Sequence, residues 1–141
     1  LFDNYVVYNS GATMELEKTN LYYTKDYGYL DNNGNLTIEG RLDDIIISGG
    51  ENISPDEIIN RLLEIEAITD AIVIGVEDET WGKIPVAFII RYKPISEKEI
   101  KIELENKLPK YKIPKKVIFI EKIPYNKNGK IDYNALKSYL K

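Results

Sequence analysis

Ser48-Gly49-Gly50-Glu51-Asn52-Ile53-Ser54-Pro55-Asp56-Glu57-Ile58-Ile59-Asn60-Arg61-Leu62-Leu63 is the stretch at which the chain changes period. Before it, residues 45–47 predict a short apolar strand, which Ser48-Gly49-Gly50 breaks with a flexible loop. A helix then opens: Ser54 can cap it, Pro55 suits its first position and Glu57 completes a capping box. Ile58, Leu62 and Ile65, with Ile59 and Leu63 beside them, recur at helical spacing and predict its buried stripe.

Downstream, the β-branched and aromatic runs 71–76 and 84–92 predict two strands of one sheet, joined by Asp78-Glu79-Thr80-Trp81-Gly82. Ser96 and Glu99 form a second capping box for a helix with Ile100, Leu104 and Leu108 on its apolar side, ended by Pro109. Residues 115–121 predict another strand, 126–129 a turn, and Asp132 a cap for a final helix through Tyr139. The order α-β-β-α-β-α predicts an α+β domain of helices packed on a mainly three-stranded sheet. Upstream, residues 5–8, 21–24 and 36–39 predict short β segments, with Asp31-Asn32-Asn33-Gly34-Asn35 as a turn. Such a stretch cannot close a core alone.

The 141 residues leave room for one ordinary domain, or a small one plus part of another. A composition of 43% hydrophobic and 30% charged residues is that of a soluble globular protein, and no apolar run approaches the roughly 20 residues that span a bilayer. Cysteine and histidine are both absent. Disulfides, zinc sites and Ser-His or Cys-His nucleophile pairs are thereby excluded, leaving Lys, Arg, Asp, Glu, Tyr and backbone groups for any chemistry. The net charge of −4 argues against a domain built to grip nucleic acid. Leu1-Phe2-Asp3-Asn4 carries no signal-peptide pattern and reads as a cut end, so a cytoplasmic protein is expected.

Two loops invite a binding reading. Gly129-Lys130 offers a close backbone approach and a point charge to an anion. Its spacing is wrong for a P-loop, because Pro124 stands where the first glycine would be and Ile131 where Ser or Thr would follow the lysine. A solvated turn before a helix is the plainer reading. Ser48-Gly49-Gly50 is likewise either a site or a connection, and Asp26, Asp43 and Asp44 are either functional carboxylates or caps.

Several segments occurring together in fixed order resemble the adenylate-forming family of acyl-CoA synthetases, luciferases and peptide-synthetase adenylation domains. They are Tyr23-Thr24-Lys25-Asp26-Tyr27-Gly28, Gly40-Arg41-Leu42-Asp43, Ile47-Ser48-Gly49-Gly50-Glu51-Asn52-Ile53-Ser54-Pro55, Leu108-Pro109-Lys110-Tyr111-Lys112-Ile113-Pro114 and Pro124-Tyr125-Asn126-Lys127-Asn128-Gly129-Lys130-Ile131. The resemblance covers nearly the whole chain, with departures: Lys25 stands where glycine is usual, Tyr125 where Arg or Lys is common, and Asn126 and Lys127 are atypical.

The resemblance implies an ATP-dependent acid:CoA ligase, with ATP, magnesium and CoA as its reagents and a small carboxylic acid as its other substrate. Asp26 would receive the ribose hydroxyls and Arg41 would hold ribose or phosphate oxygens. Lys130 would be the catalytic cation at the α-phosphate and carboxylate. Asp43 would be the hinge, and Ser48, Gly49 and Gly50 would line the pantetheine tunnel. Residues 1–42 would be the edge of a large N-terminal domain and 43–141 the mobile C-terminal domain. The family's phosphate loop and acid pocket precede the residues present here, so the chain alone is expected to be an inactive part of a longer enzyme.

Two other classes compete. Lys107, Lys110, Lys112, Lys115 and Lys116 with Tyr111 make a basic, aromatic strip, but the acidic whole and the lack of a motif speak against nucleic acid. A stand-alone regulatory or interaction domain is the other alternative, since small α+β folds host many functions.

Overall fold

The computed structural model describes residues 8–9, 12–13 and 25–141. The chain divides into two compact units, Leu1–Ile45 and Ile46–Lys141. In the first, β1 (Tyr8–Asn9) pairs with β2 (Ala12–Thr13), and β3 (Asp26–Leu30) pairs antiparallel with β4 (Leu36–Arg41). The predicted turn joins β3 to β4. The Asp31 carboxylate accepts from the amides of Asn33 and Asn35 at 2.8 and 2.9 Å and from the Asn35 side chain at 2.9 Å, which holds it below the usual aspartate range. A 3-10 turn, Leu42–Asp44, follows. Tyr29, Leu30, Leu36 and Ile38 are exposed on this hairpin. The β segments expected at 5–8 and 21–24 lie outside the described residues, save Tyr8.

The second unit runs β5 (Ile46–Ser48), β6 (Glu51–Ile53), α1 (Pro55–Leu63), β7 (Ile68–Asp78), β8 (Gly82–Arg91), α2 (Glu97–Glu105), β9 (Lys116–Phe119) and α3 (Tyr133–Ser138). From α1 onward the order is the α-β-β-α-β-α that the sequence predicts, while β6, between the glycines and α1, is a strand it does not. The centre is a three-stranded sheet with β8 in the middle, antiparallel to β7 and parallel to β9. In addition β5 and β6 form an antiparallel hairpin, linked to β8 by the single pair Ser48 and Gly82.

Along the edge of β8 that faces away from β7, the partner changes from β5 at Gly82 to β9 from Val86 onward. Pro85 sits between the two. A proline has no amide hydrogen to give a ladder, so this is where the edge can change hands. The Pro85 carbonyl still accepts from the Lys115 amide at 2.9 Å and starts the β9 pairing.

β8 is buried on both faces, which is why residues 84–89 read as one unbroken apolar run. Its side chains alternate between two cores. Ala87 and Ile89 join Ile53, Ile58, Leu62, Ile100 and Leu104 under α1 and α2. Val86 and Phe88 join Ile120, Ile123 and Leu136 under α3. Each fully buried side chain of this size contributes about 1.5–3 kcal/mol.

Three local expectations change. Ser48-Gly49-Gly50 is not a loose loop but the start of a tight hairpin, because Glu51–Ile53 folds back to pair with β5. The Ser54 capping box is half made: Ser54 Oγ accepts from the Glu57 amide at 3.3 Å, but the Glu57 carboxylate turns to Lys112. At Ser96 both halves are present. Finally, α1 and α2 are shorter than their apolar stripes suggest, so Ile65 and Leu108 are buried from the turns beyond the helices, while Leu63 is exposed.

Candidate functional site

Lys130 lies on a small β-like loop, with Tyr125 bridged to Ile131 across it. Asn126 organises the loop. Its amide donates to the Lys130 carbonyl at 2.7 Å, its carbonyl accepts from the Gly129 amide at 3.0 Å, and its Oδ1 accepts from the amides of Asn128 and Lys130 at 2.9 and 3.1 Å. Gly129 supplies the positive φ of 77° that closes the turn. The backbone of Lys130 is therefore fixed while its side chain is exposed. Behind the loop, Asp132 caps α3 at the Ala135 amide, and the fully buried Leu136 seats α3 on the sheet. The site is thus a rigidly rooted cation facing outward.

At the glycine hairpin, Gly49 has φ 54° and its amide donates to the Trp81 carbonyl at 2.9 Å. A Cβ on Gly49 would come within 2.7 Å of the Trp81 ring. The glycine therefore permits close stacking as well as the turn. Ser48 is buried, and Gly50 has φ 84° with nothing beside it. Trp81 remains half exposed, and the Lys115 ammonium lies 5.7 Å from its ring centre. An apolar slab, an exposed ammonium and a bare backbone turn thus adjoin one another. Neither Trp81 nor Lys115 stands out in the sequence, where one reads as loop and the other as part of a basic strip. The signal that could find Trp81 is a tryptophan in a short hairpin connection, where burial does not require it.

In the first unit, Asp26 and Arg41 are directly paired across β3 and β4. Asp43, in the 3-10 turn, lies 3.3 Å from Lys25 Nζ and 4.0 Å from Arg41 Nη2, and all three side chains are more than half exposed. The Lys25 carbonyl accepts from the Leu42 amide at 2.7 Å. Lys25 itself has φ 62°, the left-handed region that favours glycine, which is the residue usual there in the resembled family. Asp26, Arg41 and Asp43 thus share one end of the β3–β4 hairpin, while Lys130 and the glycine turn belong to the other unit. Tyr23 and Thr24 lie outside the described residues.

Residues 57–130 match the family described as AMP-binding enzyme C-terminal domain. The chain belongs to that family. The AMP-binding C-terminal domain here is 47% identical over 83% of the chain to the 2-succinylbenzoate–CoA ligase of Oceanobacillus iheyensis, covering 24% of that protein. Among solved structures it is similar to o-succinylbenzoate CoA synthetase from Bacillus subtilis in complex with the acyl-adenylate intermediate, at 45% identity and TM-score 0.73 over 81% of this chain and 24% of that one. It is also similar to a Mycobacterium tuberculosis fatty acyl CoA synthetase, at 42% identity and TM-score 0.70 over 82% and 23%. The chain spans about a quarter of the length of the relatives it matches.

The match ends on Lys130, and it includes Trp81, Lys112 and Lys115. Among the described residues of this AMP-binding C-terminal domain chain, no group of three or more acidic side chains is arranged to hold a metal ion, and no helix is long and apolar enough to cross a membrane.

Proposed function

We propose that this chain is the C-terminal part of an ATP-dependent acid:CoA ligase, and that the acid is 2-succinylbenzoate. The observation that carries the reading is the family match ending on an exposed lysine whose loop is locked by Asn126. The substrate rests on the naming of relatives at 47% identity.

The full enzyme runs two half-reactions. In the first, the carboxylate attacks the α-phosphorus of ATP, giving acyl-adenylate and pyrophosphate. Two anions must meet, and the Lys130 ammonium stabilises the charge on their oxygens. Preorganisation matters because a cation already aimed outward costs no rearrangement when the charge develops. Asp26 accepts from the ribose hydroxyls and Arg41 donates to ribose or phosphate oxygens, roles suited to a carboxylate and a guanidinium fork. Magnesium accompanies the nucleotide.

In the second half-reaction the CoA thiol attacks the acyl carbonyl and AMP leaves. The Lys130 loop withdraws, as residues 43–141 swing about Asp43 against the large N-terminal domain to which residues 1–42 belong. Few residues need absorb such a rotation. Ser48, Gly49 and Gly50 then border the thiol arm. Trp81 and Lys115, beside Gly49, supply an apolar face and a cation for a CoA phosphate.

A fatty acid CoA ligase is the second reading, favoured by the 42% identity to the mycobacterial synthetase. The test is an assay of the longer protein bearing this chain, with ATP, CoA and a panel holding 2-succinylbenzoate, benzoate, malonate and straight-chain fatty acids. Thioester formation with 2-succinylbenzoate at the highest kcat/KM is expected. Preference for a fatty acid would replace the substrate, and failure to release pyrophosphate with any acid would sink the ligase reading.

A further inference from the structure

The ion pair between Glu57 and Lys112 joins the roots of the two segments that meet at Trp81. Lys112 Nζ donates to Glu57 Oε2 at 2.7 Å, and the lysine side chain is 19% exposed, less than any other cation in an ion pair among the described residues. Glu57 sits in the first turn of α1, straight after the glycine hairpin. Lys112 ends the 3-10 turn Lys110–Lys112, from which the chain runs through the buried Ile113 and Pro114 to Lys115. That segment has two other ties: the Lys115 amide donates to Pro85 O at 2.9 Å, and Lys101 Nζ donates to Lys115 O at 3.0 Å.

Glu57 makes this contact in place of the second half of its own capping box, which Glu99 does complete at the equivalent place in α2. A helix start that forgoes a cap bond for a half-buried pair across 55 residues of sequence is specifying a position. Partial burial also makes the pair weigh more than an exposed one, because loss of either partner leaves the other charge poorly solvated.

We propose that Glu57 and Lys112 are positioning residues for thioester formation. Their pair holds the Lys115 ammonium and the Trp81 face in register with the Gly49-Gly50 turn, so that CoA meets a preset surface. This rests on the assignment of that surface to CoA in the preceding subsection.

The experiment uses the longer ligase with Glu57→Gln, Lys112→Met, Lys112→Arg and, as a control on the surface itself, Lys115→Ala. Adenylation is read by ATP–pyrophosphate exchange, the second step by thioester formation from supplied acyl-adenylate, and folding by thermal midpoint. Glu57→Gln and Lys112→Met are expected to raise the KM for CoA about tenfold, as misplaced binding groups do, while exchange stays within about twofold. Lys112→Arg, keeping charge and reach, should stay within about twofold of the parent in both. An unchanged KM for CoA in the pair variants, with Lys115→Ala raising it, overturns the positioning role alone. A parallel fall of both half-reactions with the thermal midpoint overturns it as well, since that is a merely structural role. An unchanged KM in Lys115→Ala overturns the CoA surface and this proposal with it.

Discussion

A surface lysine becomes chemically useful when its backbone has lost its freedom and its ammonium has not. Lys130 meets both conditions through Asn126, whose side chain and main chain between them hold the loop at four points. In the longer enzyme, Lys130→Ala should lower ATP–pyrophosphate exchange by about 10²–10³-fold, the usual cost of removing a preorganised charge-stabilising group. Thioester formation from supplied acyl-adenylate should be nearly unaffected, and equal loss of both steps would contradict the two-pose reading. The glycines divide in a way the sequence does not show. Gly129→Ala, at φ 77° in open space, should cost about 1–2 kcal/mol of stability from backbone strain alone. Gly49→Ala should cost about 1–3 kcal/mol more, because its Cβ would collide with the Trp81 ring. Urea denaturation of both variants checks the order, and equal losses would mean that the ring yields freely. Lys130 and Gly49 were legible as candidates because motifs name them. Asn126 was not, since an asparagine in a turn looks the same whether or not its side chain gathers the surrounding amides.

Elements were legible where their signals are local. Caps, prolines and apolar stripes gave α1, α2, α3 and the β7–β8 pair in order, and the Asn-rich run gave the turn that leads into β4, but not β3 (Asp26–Leu30) before it. The β5–β6 hairpin was missed because Glu51-Asn52-Ile53 has little strand character of its own and pairs only because Gly49 and Gly50 reverse the chain. The half-made box at Ser54 was unreadable for another reason: Lys112, which takes the Glu57 carboxylate, is 55 residues away. The complete box at Ser96 has a pH signature. The Ser96 hydroxyl, then its amide, hold the Glu99 carboxyl below the ordinary glutamate value. A carboxyl depressed in the folded state adds stability that is full above its unfolded value and fades as pH falls through the folded one. Ser96→Ala should therefore be less stable than the parent at neutral pH, with the gap closing below about pH 4 as Glu99 protonates in both. A gap that stays constant from pH 7 to pH 3 in chemical denaturation would mean the box contributes through the helix cap alone.

At the scale of the whole chain, Ile46–Lys141 owns a sheet covered on both sides, with Phe88 at 0% exposure in the centre of one core. Phe88→Ala should cost about 3–5 kcal/mol and release α3, which packs on that face through Leu136 and Tyr139. Thermal unfolding followed by near-ultraviolet dichroism reads both. Residues 46–141 produced alone should unfold in one cooperative transition, and a broad, non-cooperative melt would show that their two cores do not suffice. The expectation of a boundary near Asp43 rests on short polar-spaced strands giving way to capped helices, and the two compact units divide between Ile45 and Ile46. The sequence could not display that β8 serves two neighbours along one edge, since only the meeting of Ser48 with Gly82, and of Lys116 with Val86, reveals it.

That shared edge bears on how the lobe can be re-engineered. A hairpin hung from the sheet by one rung at Gly82, with Pro85 between that rung and the start of the β9 ladder, can be transplanted between relatives without recutting the strands beside it, provided Ile46 and Ile53 travel as its anchors. Grafting residues 46–53 from ligases of other thiols is thus the least invasive way to ask how much of acceptor choice this small module dictates.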